Sequence, residues 1–498
     1  MPFRSLVKST LLLGSSSVAN TLIGILRVKI LALIVGPAGL GLLGALSAIA
    51  SLGTTVAALG SDTSGTRRIA LSRDNEAAVA RVRAVLLAIA VIHGLVTVAV
   101  FYLGRAQIAH WVFGSDAYAD EVALLGIAVA LSLIAGLQIA QLQGLGQAGA
   151  VARVSVLSSL IGTAFGLLAV WEWGIGGIIV LVLAQPAIAA LVAYGYTTRL
   201  SGSQSTALRA RWIATDWLGI VGQGGAYMLS YVMLALVPLA IRALVIREIG
   251  MEAAGHFHAS WTMSVIYVGF LLNAMSADYF PRLTALIDDR RAAISLINDQ
   301  VQLGLAIGGP ILLFMLAAAP WIVPLLYSRE FLPAVEIFQW QALGNLMKIA
   351  GWPVAFLSMA RGRSGQFFLI EFAWCSLFFV IAWIGLAPLG LVAVGIGFAA
   401  GCIVYFVLQW AVATATYGFR WERQTVSTML AYLFAGLLTL LAAQHSHWWQ
   451  LAIGTAFAIG LGLVSVRFIC AKIGDEGRIG RIAHRVFQRI GWPLPLVT

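Results

Sequence analysis

Lys348 lies about two residues, or ~3 Å at ~1.5 Å rise per residue, from the middle of an apolar stretch over roughly 332–360. A lysine stem cannot reach either surface from that depth. A charge inside a bilayer is turned toward a water-filled cavity or a partner. Gln341, Asn345 and Lys348 stand at i, i+4 and i+7, so one helix face carries all three. An ammonium flanked by two amides suits an anion with polar substituents. Pairing of Lys348 with a carboxylate to fix helix packing is the alternative.

Arg27 and Lys29 lie about 10 Å from the middle of the first span, at ~1.5 Å per residue. Being two apart, they cannot share a face, and snorkelling to the outer surface competes with cavity lining. Glu371 sits among Phe367, Phe368, Phe372 and Trp374. A carboxylate there suits proton carriage, or a static salt bridge to Arg363 or Lys348. Asp62 and Asp278, near Arg67 and Arg282, read as local ion pairs. Gln138 and Gln141 read first as helix-packing groups. The pairs His256/His258 and His445/His447 lack a carboxylate-rich constellation, and Cys375, Cys402 and Cys470 lack ligand spacing, so neither metal nor disulfide chemistry is expected.

The elements that position these residues follow from composition. The 498 residues are 60% hydrophobic and 10% charged, against about 25% charged in an ordinary soluble domain. Mean hydropathy is +0.93. Such a chain cannot cover a water-facing surface, which excludes a soluble enzyme, a disulfide scaffold and a disordered chain. It is expected to be an all-α polytopic membrane protein. Apolar windows place about 14 spans at 6–35, 39–61, 84–104, 121–144, 151–171, 175–198, 216–241, 253–279, 301–327, 332–360, 365–386, 389–416, 427–444 and 449–471. The net charge of +11 reflects topology signals between spans rather than a nucleic-acid surface. With the N-terminus inside, 24 of the 31 Lys and Arg lie in connections on one side, and only Arg105, Arg242, Arg247 and Arg329 on the other. That bias predicts two cytoplasmic termini.

The chain repeats at a period near 214. Gly36 and Gly41 recur as Gly250 and Gly255, and Arg68/Asp74 as Arg282/Asp288. Gly146, Gly149 and Gly174 recur, shifted by 216, as Gly362, Gly365 and Gly390. Six spans per copy imply a parallel repeat about an axis along the membrane normal. The expected organisation is one six-helix bundle at 1–210, a second at 211–418, two additional helices at 419–472 and a basic tail at 473–498. In the tail, Arg478, Arg481, Arg485 and Arg489 flank Ile479, Ile482, Val486, Phe487 and Ile490. It reads as an amphipathic helix on the anionic inner leaflet or as a plain topology anchor.

Gly36-Pro37-Ala38-Gly39-Leu40-Gly41, Phe113-Gly114-Ser115-Asp116-Ala117-Tyr118, Tyr279-Phe280-Pro281-Arg282-Leu283, Ile403-Val404-Tyr405-Phe406 and, most specifically, the tenth-span segment Phe338 to Lys348 together carry a resemblance. Over roughly residues 5–415 the chain resembles the Wzx-type polysaccharide flippases of the multidrug/oligosaccharidyl-lipid/polysaccharide exporter superfamily. It looks nearest to translocases of O-antigen and enterobacterial common antigen lipid intermediates. Two features depart from the pattern. Relatives have twelve spans, so the pair after residue 425 has no counterpart, and some relatives carry an acid where Asn345 stands.

The resemblance implies two bundles around a central cavity that work by alternating access in the bacterial inner membrane. It implies an undecaprenyl-pyrophosphate-linked oligosaccharide as substrate, moved from the cytoplasmic to the periplasmic leaflet. Lys348, with Arg27 or Lys29, would hold the pyrophosphate, and Gln341 and Asn345 the sugars. No cofactor is implied beyond a proton or sodium gradient, with Glu371 a candidate proton carrier. Partners would be membrane lipids, a polysaccharide polymerase and a chain-length regulator, with no nucleic acid. Rival readings are a peptidoglycan-precursor flippase, a multidrug exporter and, in another class, a glycan polymerase or ligase. A central lysine argues against an exporter of cations, and short outer loops argue against the enzymes.

Overall fold

The computed structural model describes residues 3–200 and 210–473, and the regular structure in them is helical. The helices are α1 (Phe3–Ala58), α2 (Ser61–Leu71), α3 (Glu76–Leu103), α4 (Arg105–Phe113), α5 (Ala119–Gly144), α6 (Ala148–Trp173), α7 (Ile178–Leu200) and α8 (Ala210–Glu248). They continue with α9 (Met251–Ala285), α10 (Arg290–Leu326), α11 (Ala334–Ala360), α12 (Ser364–Leu389), α13 (Val392–Tyr417), α14 (Arg423–Ala443) and α15 (His447–Ile473). In lipid a helix pairs its own backbone groups, which is why an apolar chain takes this form. The tail carrying Arg478, Arg481, Arg485 and Arg489 lies outside the described residues.

Ten stretches among the described residues are long and apolar enough to cross a membrane. Two of these, Gly14–Ala58 with 45 residues and Ala148–Arg199 with 52, exceed by far the ~20 that one crossing needs. Each is divided by a glycine. α1 is two arms joined across a sharp break at Gly36 (φ 59°, ψ −163°), with Pro37 opening the second arm, where its missing N–H is no loss. α9 and α11 are not among the ten. In α11, Glu336, Gln339, Gln341, Asn345 and Lys348 lower the hydropathy, yet most of the helix is buried against protein rather than lipid.

The repeat is visible in the backbone. Gly146 and Gly362 have φ of 73° and 67°, and Gly174 and Gly390 of 57° and 60°. These are left-handed conformations that glycine adopts without strain. The first pair joins α5 to α6 and α11 to α12; the second joins α6 to α7 and α12 to α13.

The residues form two compact units, Met1–Ala259 with Leu326–Phe331 and Ser260–Leu325 with Leu332–Thr498. In the first, α6 packs on α7 and α1, α5 on α3 and α7, and α8 on α1, α2 and α4. Here the repeat's two glycines meet. A Cβ on Gly41 would stand 2.2 Å from Met251 O and 3.0 Å from Gly255 N, and one on Gly255 would stand 1.9 Å from Pro37 O.

In the second unit α11 packs on α13, α12 and α14. The additional helices are seated on α10. Tyr432 of α14 covers Gly309, and the Gln450 amide of α15 donates to Leu316 O at 2.7 Å. Tyr279, Leu283, Ile297, Val354, Leu357 and Phe419 form a buried cluster. In it the Tyr279 hydroxyl donates to Pro353 O at 2.7 Å. Tyr279→Phe is expected to remove about 1 kcal/mol of stability, read as a lower unfolding midpoint of the detergent-solubilised protein; an unchanged midpoint would show the bond to be dispensable.

Of the two expected aspartate ion pairs, Asp278 meets Arg282 at 3.0 Å. Asp62 does not pair with Arg67. It lies in the first turn of α2 and its Oδ1 accepts from Thr63 N at 2.8 Å, because an anion is favoured at a helix N-terminus. Trp171, Trp173, Trp448 and Trp449 are exposed near helix ends, as an interfacial aromatic belt requires.

Candidate functional site

Small residues set the distance between the helices that frame Lys348. Gly344 of α11 lies against Ala399 and Phe398 of α13, and Gly395 of α13 lies against Ile337 O and Trp340. Without side chains at these crossings the two backbones approach closely. The Phe398 ring is thereby presented to Lys348, with its centroid 5.9 Å from Nζ, and Trp374 of α12 lies 5.3 Å away. Trp374 stacks with Phe378 (6.3 Å between centroids, 9° between planes), and Phe378 stacks with Trp261 of α9 (6.2 Å, 10°). The ammonium thus faces a wall of aromatic rings supplied by three helices.

Lys348 is half-buried, and among the described residues no carboxylate pairs with it. The expected salt bridge from Glu371 to Lys348 or Arg363 is not made. Glu371 is buried and accepts instead from the Trp374 indole N–H at 2.5 Å. One aromatic side chain therefore presents its face to an ammonium and its edge to a carboxyl group. Cation–π contacts return about 0.5–2 kcal/mol each, whereas burying an ion costs several kcal/mol. The aromatic wall offsets only part of that cost, and the remaining N–H donors of Lys348 suit an anion.

The amides on the same face are closed off. Gln341 is 0% and Asn345 2% exposed. The Ser264 hydroxyl of α9 donates to Gln341 Oε1 at 2.8 Å, while Gln341 Nε2 and Asn345 Nδ2 are buried without a partner. Two unpaired N–H₂ groups one turn apart are an unmet demand for acceptors. Trp374→Leu is expected to weaken pyrophosphate binding at Lys348 about tenfold with insertion unchanged, from loss of a cation–π face. Trp374→Phe, which keeps a ring but no N–H, should retain more of it. Equal binding by both variants and the wild type would remove Trp374 from the site.

Arg27 and Lys29 lie in the first unit. Arg27 donates to Gln185 Oε1 of α7 at 3.1 Å, and Lys29 Nζ donates to Tyr327 O at 2.6 Å. Gln141 accepts from Arg83 Nε at 3.2 Å, which supports its packing role. All three cysteines are buried and free, and no metal-holding group of His, Cys, Asp or Glu occurs among the described residues.

Arg242 is the principal residue that sequence reasoning misplaced. Its expected span ends at 241, which puts it in an outer loop. In the structure α8 runs on to Glu248, and Arg242 is buried, 5.2 Å from the Phe257 ring. The apolar run Ala243–Ile246 beyond it was the available signal.

The all-helical fold matches solved structures of MOP-superfamily transporters. An inward-facing multidrug-resistance MATE family transporter of that superfamily matches with a TM-score of 0.64 at 15% identity, over 80% of this chain and 94% of that one. The lipid II flippase MurJ, in an inward closed conformation, matches with a TM-score of 0.67 at 11% identity, over 93% and 99%. The MurJ match covers more than residues 1–418 could supply, so it extends into the additional helices. Residues 30–336 match the model of the polysaccharide biosynthesis protein family, and the chain belongs to that family. The lipid III flippase of Escherichia coli K12 is 24% identical over 412 residues, 81% of this chain and 97% of the relative. These relatives are flippases and transporters, not enzymes.

Proposed function

We propose that the protein is a flippase for a lipid-linked saccharide, carrying an undecaprenyl-pyrophosphate-linked oligosaccharide across the inner membrane by alternating access. The observation that carries this reading is the half-buried ammonium of Lys348, unpaired with any described carboxylate and faced by Trp374 and Phe398. A pyrophosphate supplies the anion that such a group lacks, and Coulomb attraction is strong in a site of low dielectric. Gln341 and Asn345 hold their amide donors for saccharide oxygens, which become reachable when α11 parts from α9 and α13. Arg27 and Lys29 contribute to the same substrate path, and Glu371 carries a proton in the coupling cycle.

In this reading 1–210 and 211–418 are the two repeat halves, the chain spans the membrane fourteen times with both termini cytoplasmic, and a polymerase and chain-length regulator use the product. Membership of the polysaccharide biosynthesis family and the likeness to the lipid III flippase support a saccharide-bearing cargo. The test is reconstitution in vesicles carrying a lipid-linked oligosaccharide and a fluorescent cationic drug. Protein-dependent movement of the saccharide between leaflets is the expected result. Export of the drug with a stationary saccharide would replace this reading with that of a multidrug exporter.

A further inference from the structure

Glu371 is joined to Lys348 through a ring rather than by an ion pair. It stands three residues before Trp374 on α12, a spacing that puts both side chains on one helix face. Its Oε2 accepts from the Trp374 indole N–H at 2.5 Å, and both residues are 5% exposed. The same indole turns its face to Lys348 Nζ, 5.3 Å from the ring centroid. Among the described residues no ion pair links the carboxyl to the ammonium directly. Lys348 belongs to α11, so a group on α12 reaches it by way of one side chain.

The hydrogen bond is the contact that orients the indole. The rings of Phe378, Phe398 and Tyr405 stand 6.3, 6.4 and 6.5 Å from it between centroids. Those distances lie in the outer part of the ~4.5–7 Å range over which aromatic pairs attract. On the α13 side the ring meets Gly401, where a Cβ would stand 3.4 Å from Trp374 Cε3, so no side chain wedges it there. An indole N–H is a donor only, and a buried donor left without an acceptor is unfavourable. With Glu371 as acceptor the ring has one favoured setting. Without it the N–H turns toward another acceptor and the face leaves the ammonium, whereas a cation–π contact requires the cation over the face.

We infer that Glu371 is a positioning residue for anion binding: it holds the Trp374 indole so that the ring faces Lys348 and keeps the ammonium directed at a diphosphate. This role rests on the reading of Lys348 as the anion-binding group and is separate from carrying a proton. Proton carriage needs an ionisable carboxyl, whereas positioning needs only an acceptor oxygen. The two roles therefore part on substitution.

The test is calorimetric titration of the full-length protein in detergent with inorganic pyrophosphate. Glu371→Leu should weaken binding about fivefold, less than the roughly tenfold expected of Trp374→Leu, because the ring remains. Glu371→Gln, which keeps an acceptor oxygen, should restore binding to within about twofold of the wild type. In a Trp374→Phe background, where there is no N–H to hold, Glu371→Leu should change affinity by less than about twofold. Glu371→Met reads the same loss should Glu371→Leu fail to give monodisperse protein. A Glu371→Gln protein as weak as Glu371→Leu, or an equal loss in the wild-type and Trp374→Phe backgrounds, overturns the positioning role and leaves Lys348 as the anion-binding group. No binding by the wild type overturns the reading of Lys348 itself, and this role with it.

Discussion

Lys348→Ala is expected to abolish the proposed saccharide translocation, a loss of at least about 100-fold, with the protein still inserted and monodisperse. The size of the effect follows from the charge. A charge-assisted hydrogen bond contributes about 1.5–3 kcal/mol, and an ammonium offers three donors. Loss of two such bonds to a diphosphate exceeds the ~2.8 kcal/mol that corresponds to 100-fold at ~1.4 kcal/mol per decade. Stability should change little. The ammonium's aromatic contacts with Trp374 and Phe398 offset only part of its desolvation, so removing the charge removes a cost as well as a contact. Lys348→Arg keeps the charge and the ring contacts and should retain a measurable fraction of transport. The readout is leaflet transfer of the lipid-linked oligosaccharide in reconstituted vesicles, normalised to inserted protein. Transfer by the alanine variant at the wild-type rate would take Lys348 out of the mechanism.

Gly255→Ala has the largest expected effect on folding. The added methyl would stand 1.9 Å from Pro37 O, 2.6 Å from Pro37 C and 3.0 Å from Pro37 Cα. All three are backbone atoms and cannot rotate away, so α9 and the second arm of α1 must move apart. Overpacking costs about 1–3 kcal/mol and occasionally more. Replacing glycine by alanine inside a helix returns at most about 1 kcal/mol, so the clash dominates. The expected result is a net loss of about 2 kcal/mol, seen as a lower unfolding midpoint and a smaller monodisperse fraction. Gly365→Ala is the control, because nothing lies within 4 Å of its Cβ position. A Gly255→Ala protein as stable as the Gly365→Ala protein would show that the crossing is looser than described.

Composition alone determined the class. A chain with 10% charged residues has no route to a soluble surface, and lipid leaves it helices. Periodicity and spacing also determined the repeat, because the glycines at constant offset occupy corresponding left-handed turns at Gly146/Gly362 and Gly174/Gly390. They placed Gln341, Asn345 and Lys348 on one face, since helical geometry is local.

What faced that row was decided only by tertiary packing. The wall of Trp374, Phe398 and Trp261 comes from three other helices, brought close by glycines whose contacts have no signature along the chain. The partner of Glu371 was a rotamer outcome. Two basic residues and an indole were within its sequence-level reach, and the indole three residues on took the bond. Arg242 was read as a loop residue because hydropathy counts a charge against a span wherever it points. In the folded chain α8 continues through it and buries it on Phe257. Local sequence sets each helix and its faces; burial and charge pairing are properties of the neighbours, which only the assembled fold supplies.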